Sequence, residues 1–498
     1  MKKIVCIILA ALTLFALIGC GETANDPAAT TAGKADPSGD NSQDPVVTTS
    51  KYPDNLPEKM DFGGEAISIV SMDKDWWIDE VTPNGDDGTV INNSVAQRNS
   101  IVEERLNVKI ENTKLQTTSY GVLVDEVEKD YRDGAGTYDI SFCNGYVACM
   151  AIPKGYFFDL NKVENIDLSK DYWMQGFNEQ LSFHGKQYVA TGDISISTVR
   201  MAFATIFNKK MFETNHVPSL YETVKNKEWT LEYQLKLLDT LYKPVSAEGP
   251  SDEDTFAYAS GNYVACDGYW EACDVSILRK DANGDYYHST DTERYSDMVD
   301  QLLLFFKQPG TRNFPHKSGD GEFADISKFF ADGRAAMANI LLVECEREWT
   351  RNMSDPYGIV PLAKLNKDQE AHHTHLFDQY TVVSVLKGSK KDNNAMLGAF
   401  LEAMASESSV VTMPAYYELT LKQKYQSDPT SWEMLDLIMD GVICDAGNLY
   451  YSLVGEAHMD LARMIQEGSN QVASKMAAYK RAMPAYLKGL NKSLASVE

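Results

Sequence analysis

The chain has 498 residues, 46 Lys+Arg against 72 Asp+Glu, and a formal net charge of −26. With 44% hydrophobic and 24% charged residues it has the composition of a globular protein able to bury sizeable cores. A surface this acidic repels phosphate backbones and anionic headgroups, which excludes nucleic acid as a partner and leaves an enzyme, a binder or an assembly component.

Lys2 and Lys3 precede an apolar run from Ile4 to Ile18, too short to span a bilayer comfortably. A basic start followed by a short apolar core reads as a secretory signal over residues 1–19. The run ends Leu17-Ile18-Gly19-Cys20, which resembles a bacterial lipobox and implies acylation of the Cys20 thiol. Residues 20–57 then form the lipidated cysteine and a tether, because Gly21 to Ser50 is rich in Ala, Thr, Asp, Pro, Ser and Gly and cannot offset its ordering entropy by burial. Cys143, Cys149, Cys266, Cys273, Cys345 and Cys444 are too sparse for a disulfide framework and are expected as buried free thiols.

From about residue 62 the pattern becomes globular. Ala66 to Val70 alternates as a half-buried strand, and Asn92-Asn93-Ser94, with Gln97 three residues after Ser94, opens a helix that runs to about Asn107. Val95, Val102 and Leu106 share one face of it. Val108 to Ile110 is the next strand, Tyr120 to Arg132 the next helix, and Asp139 to Phe142 a third strand. That rhythm predicts a parallel α/β sheet, with ligand loops beyond the strands' carboxyl ends at 71–77 and 143–146. Further on, Tyr221 to Tyr242, Asp291 to Lys307 and Asp392 to Met404 read as amphipathic helices. Met476, Tyr479, Met483, Leu487 and Leu490 mark a last one, which Pro484 should kink.

Common catalytic signatures are missing: no Gly-x-Gly-x-x-Gly, no phosphate loop, no His-Glu-x-x-His and no Gly-x-Ser-x-Gly. His372-His373-Thr374-His375 is the sharpest metal candidate, but it reads better as a solvated loop. Asp281-Ala282-Asn283-Gly284-Asp285 lacks the terminal glutamate of a calcium loop and reads as a hairpin turn. Aromatics are abundant, with 26 Tyr and 7 Trp. Many sit beside carboxylates or amides, as in Asp75-Trp76-Trp77, Tyr172-Trp173, Tyr269-Trp270-Glu271, Glu348-Trp349 and Tyr450-Tyr451. A sugar ring offers a C–H face to such rings and a hydroxyl edge to such polar groups.

Several segments carry a likeness to a known family. They are 92–99 running into 102–108, Tyr138-Asp139-Ile140, Gly192-Asp193, 206–212, Glu228-Trp229-Thr230, 329–337 and 357–361. In order and spacing the chain resembles the extracellular solute-binding lipoproteins of ABC importers, in their carbohydrate-binding, maltodextrin-type group. The resemblance implies an α/β, two-lobed periplasmic-binding-protein-like fold with a hinge and an interlobe cleft. Residues 58–203 plus 338–381 would form lobe 1, and 204–337 plus 382–498 lobe 2. It also implies a non-catalytic, monomeric protein on the outer face of the membrane, tethered to the lipid bilayer through Cys20. That protein delivers an oligosaccharide to ABC permease subunits and needs no cofactor or metal.

By the same likeness the ligand-binding residues are Asp75 and Trp77, Asn144 and Tyr146, Asp193 and Arg200, Tyr263 and Trp270, Glu344 and Trp349, and Tyr450 and Tyr451. The chain departs from maltodextrin binders in offering Val343-Glu344 and Tyr450-Tyr451 where a tryptophan is expected. A binder of peptide or polyamine, a lipid-anchored glycan hydrolase and a surface adhesin are the alternative readings.

Overall fold

The computed structural model describes residues 52–497 apart from 75–76, 86–88, 117–118, 318–320, 391–392 and 418–428. The signal segment, Cys20, most of the tether, Asp75 and Trp76 lie outside the described residues. Tyr52 lies over the Arg105 guanidinium, 3.7 Å from the ring centroid, and Asp54 pairs with the same guanidinium at 2.7 Å. This fastens the start of the body to its first helix.

The first lobe is built on β1 (Glu65–Asp73), α1 (Val90–Leu106), β2 (Val108–Gln116), α2 (Val122–Asp133) and β3 (Ile140–Asn144). β1 pairs in parallel with both β2 and β3, as the alternating strand–helix rhythm requires. Val95, Val102 and Leu106 are all buried. The helix is capped differently from the expectation. Its N-cap is Thr89, whose side chain accepts from the Asn92 amide, while Ser94 lies inside the helix and donates to the Ile91 carbonyl. After α3 (Gly145–Ala151) and α4 (Gln175–Leu181) the chain crosses at residues 199–203 into a second sheet.

That sheet contains β4 (Phe203–Asn208), β5 (Phe256–Gly261), β8 (Thr311–Phe314), β9 (Ala335–Leu341) and β10 (Tyr357–Val360), in the order β10-β4-β9-β5-β8. β5, β8 and β9 are parallel, while β4 runs against β9 and β10 against β4. The single helix expected over 221–242 is two, α5 (Leu220–Lys225) and α6 (Leu231–Leu241). Lys227 turns the backbone left-handed at φ 61°, and Thr230 caps the second helix by accepting from the Tyr233 amide. The loop at 281–285 closes a hairpin of β6 (Leu278–Lys280) and β7 (Tyr286–His288), as its Asn-Gly predicts.

The return crossing alters the expected division of the chain. The family resemblance puts residues 338–381 in the first lobe and 382–498 in the second. Strand pairing places β9 and β10 in the second sheet, and β11 (Thr381–Val385) in the first, antiparallel to β3. The chain therefore returns at 374–381, beside the outgoing crossing: Ala202 bridges Leu376, and the Phe203 amide donates to the His375 carbonyl at 3.2 Å. The helix Asn394–Glu407 then packs against α1 in the first lobe, burying Met396, Leu397, Phe400 and Leu401. Pro429–Asp440 packs on β10 in the second. The last helix, Val472–Ala495, continues through Pro484.

Among the described residues no helix is long and apolar enough to cross a membrane. Cys143, Cys149, Cys266, Cys273, Cys345 and Cys444 are free thiols, and all but Cys444 are fully buried, as expected.

Candidate functional site

The two sheets turn the same kind of edge toward each other. The carboxyl end of β3 and the start of β11 meet where the Gly145 amide donates to the Tyr380 carbonyl at 2.8 Å. From the other lobe come the segment after β5, carrying Asp267 and Glu271, and the crossing strand at 375–380. Residues 443–449 and His458 complete the walls of a cavity of about 40 Å³. That is room for roughly three water molecules, so a sugar ring enters only if the walls part.

The walls combine rings with acids. Phe177, Phe377 and Tyr380 supply apolar faces, and Phe177 meets Tyr380 edge-on at 5.9 Å. Four carboxylates, Asp267, Glu271, Asp378 and Asp445, and two imidazoles, His375 and His458, line the same space, with no Lys or Arg among them. Glu271 is the hub. Its Oε2 pairs with His375 Nδ1 at 2.7 Å and its Oε1 accepts from Asn448 Nδ2 at 3.0 Å. Asp445 is held by the backbone amides of Ile277, Leu278 and Gly447.

Electrostatics follow from burial. Desolvation raises the pKa of Asp267 well above the carboxylate range and pushes Asp445 up to about 7, with the Glu271 charge adding to the latter. Asp378 moves the same way for the same first reason. His458 is lowered to about 4, by burial and then by the neighbouring His375, and stays neutral near pH 7.

A ladder of rings leads to the cavity from the first lobe. Trp77, Tyr120, Tyr146, Tyr451 and His458 follow one another at centroid separations of 6.0, 6.3, 5.6 and 4.7 Å. Tyr120, Tyr146 and Tyr451 are partly exposed, the state a stacking platform needs.

The residues singled out in the sequence divide by environment, and none of those described lines the cavity itself. Trp77 is buried, its Nε1 donating to the Gln379 carbonyl at 2.6 Å, so it anchors the crossing strand as well as starting the ladder. Asn144 is buried and caps α3 through the Val147 amide. Tyr146 and Tyr451 meet in the ladder. Trp270 is buried behind the wall, its Nε1 donating to the His458 carbonyl at 3.2 Å. Tyr450 is buried against Tyr286.

Tyr263 meets His316 with ring centroids 4.3 Å apart and the planes tilted by 47°. Glu344 is buried, accepting from Ser327 and pairing with Arg347, while Trp349 donates to Ser327 Oγ at 3.0 Å. Arg200 is buried between Asp79 and Glu346. Asp193 is partly exposed, and burial of its carboxyl pushes the pKa up to about 7.

Sequence reasoning missed Asp267, His375, Asp378, Asn448 and His458 as wall residues. Glu271 stands in the aromatic–acid cluster Tyr269-Trp270-Glu271, but there only as a companion of Trp270. The histidine cluster is not a solvated loop: His372 and His375 are buried in the return crossing. Burial lowers the pKa of His372 to about 4. No group of three His, Cys, Asp or Glu among the described residues is placed to hold a metal ion.

No protein-family model matches the chain, and a comparison with curated proteins yields no match. Among solved structures it is similar to an ABC substrate-binding protein from Listeria monocytogenes in complex with cycloalternan, at 12% identity and a TM-score of 0.51 over 87% of this chain and 99% of that one. It is also similar to the GacH receptor of Streptomyces glaucescens, known unliganded and in complex with acarbose, at 12% identity and 0.53 over 87% and 100%. A sugar transporter from Rhizobium etli in an open conformation aligns at 14% identity and 0.54 over 87% and 100%. The likeness shows the fold, a two-lobed α/β solute-binding-protein architecture spanning most of the chain.

Proposed function

We propose that this chain is the substrate-binding component of an ABC importer, capturing a carbohydrate between its lobes and presenting it to permease subunits. The observation that carries the reading is the ring-and-carboxylate cavity where the facing carboxyl ends of the two sheets meet. Aromatic planes there suit the C–H face of a sugar, and buried acceptors suit its hydroxyl edge. Relatives in fold are described with cycloalternan and acarbose, which supports a carbohydrate ligand for this one.

Ligand entry requires the walls to separate and then close, a population shift set by the ligand's greater affinity for the closed arrangement. Tyr146 and Tyr451 are the proposed stacking rings. Binding is stoichiometric and without turnover. The protein works at the outer face of the membrane, held by an acylated Cys20 and a tether. Calorimetry against a glycan panel tests the ligand. Silence across oligosaccharides, with heat on adding peptides, overturns the assignment. Metabolic labelling with palmitate tests the anchor: label retained by a Cys20→Ala chain would refute it.

A further inference from the structure

We infer that the ligand taken into this cavity carries a protonated amine. The inference rests on reading the cavity as the ligand site, and the observations behind it concern which wall groups already have partners.

Asn448 is 8% exposed, and its Nδ2 donates to Glu271. A carboxylate accepts only, so the amide orientation is fixed and the group left over is the acceptor Oδ1. That oxygen has no hydrogen-bond partner among the described residues. Among the described residues Asp267 makes no side-chain hydrogen bond or ion pair, and Asp378 accepts only from its neighbour Gln379 at 2.9 Å. The one wall cation, His375, is already committed to Glu271. Apart from His458 Nδ1, which also has no partner among the described residues and donates or accepts according to its tautomer, the unspent capacity of the wall is acceptors and negative charge.

Carboxylates taken out of water without a counter-cation are costly. A neutral sugar hydroxyl brings one donor with two lone pairs that would face more acceptors, whereas an ammonium brings three donors, a charge and no lone pair. Burial raises the pKa of Asp267 and Asp378, so these carboxyls hold protons more readily when no cation is near. An ammonium between them favours their ionised forms, and its binding should release protons. Glu271, His375, Asp445 and His458 face the same space and share in that titration.

An amine of this kind could come from an amino sugar or from a polyamine, and the test separates them. The mature chain would be titrated calorimetrically with glucosamine oligosaccharides, their N-acetylated counterparts, neutral maltotriose and spermidine. Each titration would be repeated in buffers of different ionisation enthalpy. The expected result is binding of glucosamine oligosaccharides at least about tenfold tighter than of the N-acetylated forms. Proton release should accompany it, and Asp267→Asn and Asp378→Asn should each abolish the preference. Asp378→Asn serves as the second reporter should Asp267→Asn fold poorly.

Equal or tighter binding of acetylated or neutral sugar, lost in Leu449→Trp, which fills the cavity, would overturn the amine while keeping the site. Glycan binding unchanged in a folded Leu449→Trp would overturn the site. Spermidine binding alone, lost in Leu449→Trp, would uphold the amine and sink the carbohydrate. Failure of all four probes would overturn the inference.

Discussion

His375 and Glu271 form a buried ion pair across the cavity wall, Nδ1 to Oε2 at 2.7 Å, joining the return crossing to the segment that follows β5. Burial is the largest single influence on the imidazole and opposes its charge, but Glu271, then Asp267 and Asp378, together outweigh it and raise its pKa. A group whose folded pKa is raised contributes stability that is complete below the unfolded value and is lost as pH rises through the folded one. Urea unfolding followed from pH 5 upward should show that loss beginning above about pH 6.5, and His375→Gln should remove it. Glu271→Gln, which strands one partner of the pair, should cost on the order of 3 kcal/mol.

Arg200 links the lobes. Its Nη1 meets Asp79 at 2.9 Å in the loop after β1, and its Nε meets Glu346 at 2.8 Å after β9, where Tyr416 also donates to Glu346 at 2.8 Å. Lysine keeps the charge but cannot serve two carboxylates from a planar fork. Arg200→Lys should lose about 1–3 kcal/mol in denaturant titration. Small-angle scattering should show a larger radius of gyration, as the lobes part more readily.

The ring ladder gives a prediction on affinity. Tyr146→Ala and Tyr451→Ala should each weaken binding of whichever oligosaccharide the calorimetric panel identifies by about tenfold, the value of a lost aromatic contact. Tyr146→Phe should stay near the parent affinity, because stacking needs the face and not the hydroxyl.

The thiols should be silent in the folded state. Burial pushes Cys143 up to about 12 and raises Cys266 and Cys444 as well, which removes the reactive thiolate at neutral pH. An aromatic disulfide reagent should label Cys143, Cys149, Cys266, Cys273 and Cys345 only after denaturant is added. Rapid reaction of any of these in buffer would contradict their burial.

Gly398 lies in the helix Asn394–Glu407 where it crosses residues 163–164, and an added Cβ would sit 1.8 Å from the Glu164 carbonyl oxygen. Neither backbone can yield without moving the helix. Gly398→Ala should cost about 1–3 kcal/mol despite alanine's better helix propensity, read from the unfolding midpoint.

Much of the first lobe was legible because its signals are local. Alternation marked β1 and an apolar stripe marked α1; in the second lobe Asp291, which caps the helix Thr292–Lys307, likewise stood at the expected start. The break between α5 and α6 was not, because apolar residues continue on both sides of Lys227 and only the left-handed turn there and the Thr230 cap interrupt them. Lobe membership after residue 338 failed for a different reason. Which sheet a buried strand joins depends on a partner far away in sequence, and β11 reads no differently from a strand of the other lobe.

The site divides in the same way. The sequence by itself determined an acidic, aromatic-rich body, thiols too sparse for a disulfide framework, and the strand–helix–strand order of the first lobe. Only the tertiary structure decided which acids matter. Asp267, Glu271, Asp378 and Asp445 differ from the other carboxylates by burial and by who their neighbours are. Those properties arise when α4, the segment after β5, the return crossing and residues 443–458 converge. Chain order sets which residue types are available; desolvation, which exists only after folding, sets what each one does.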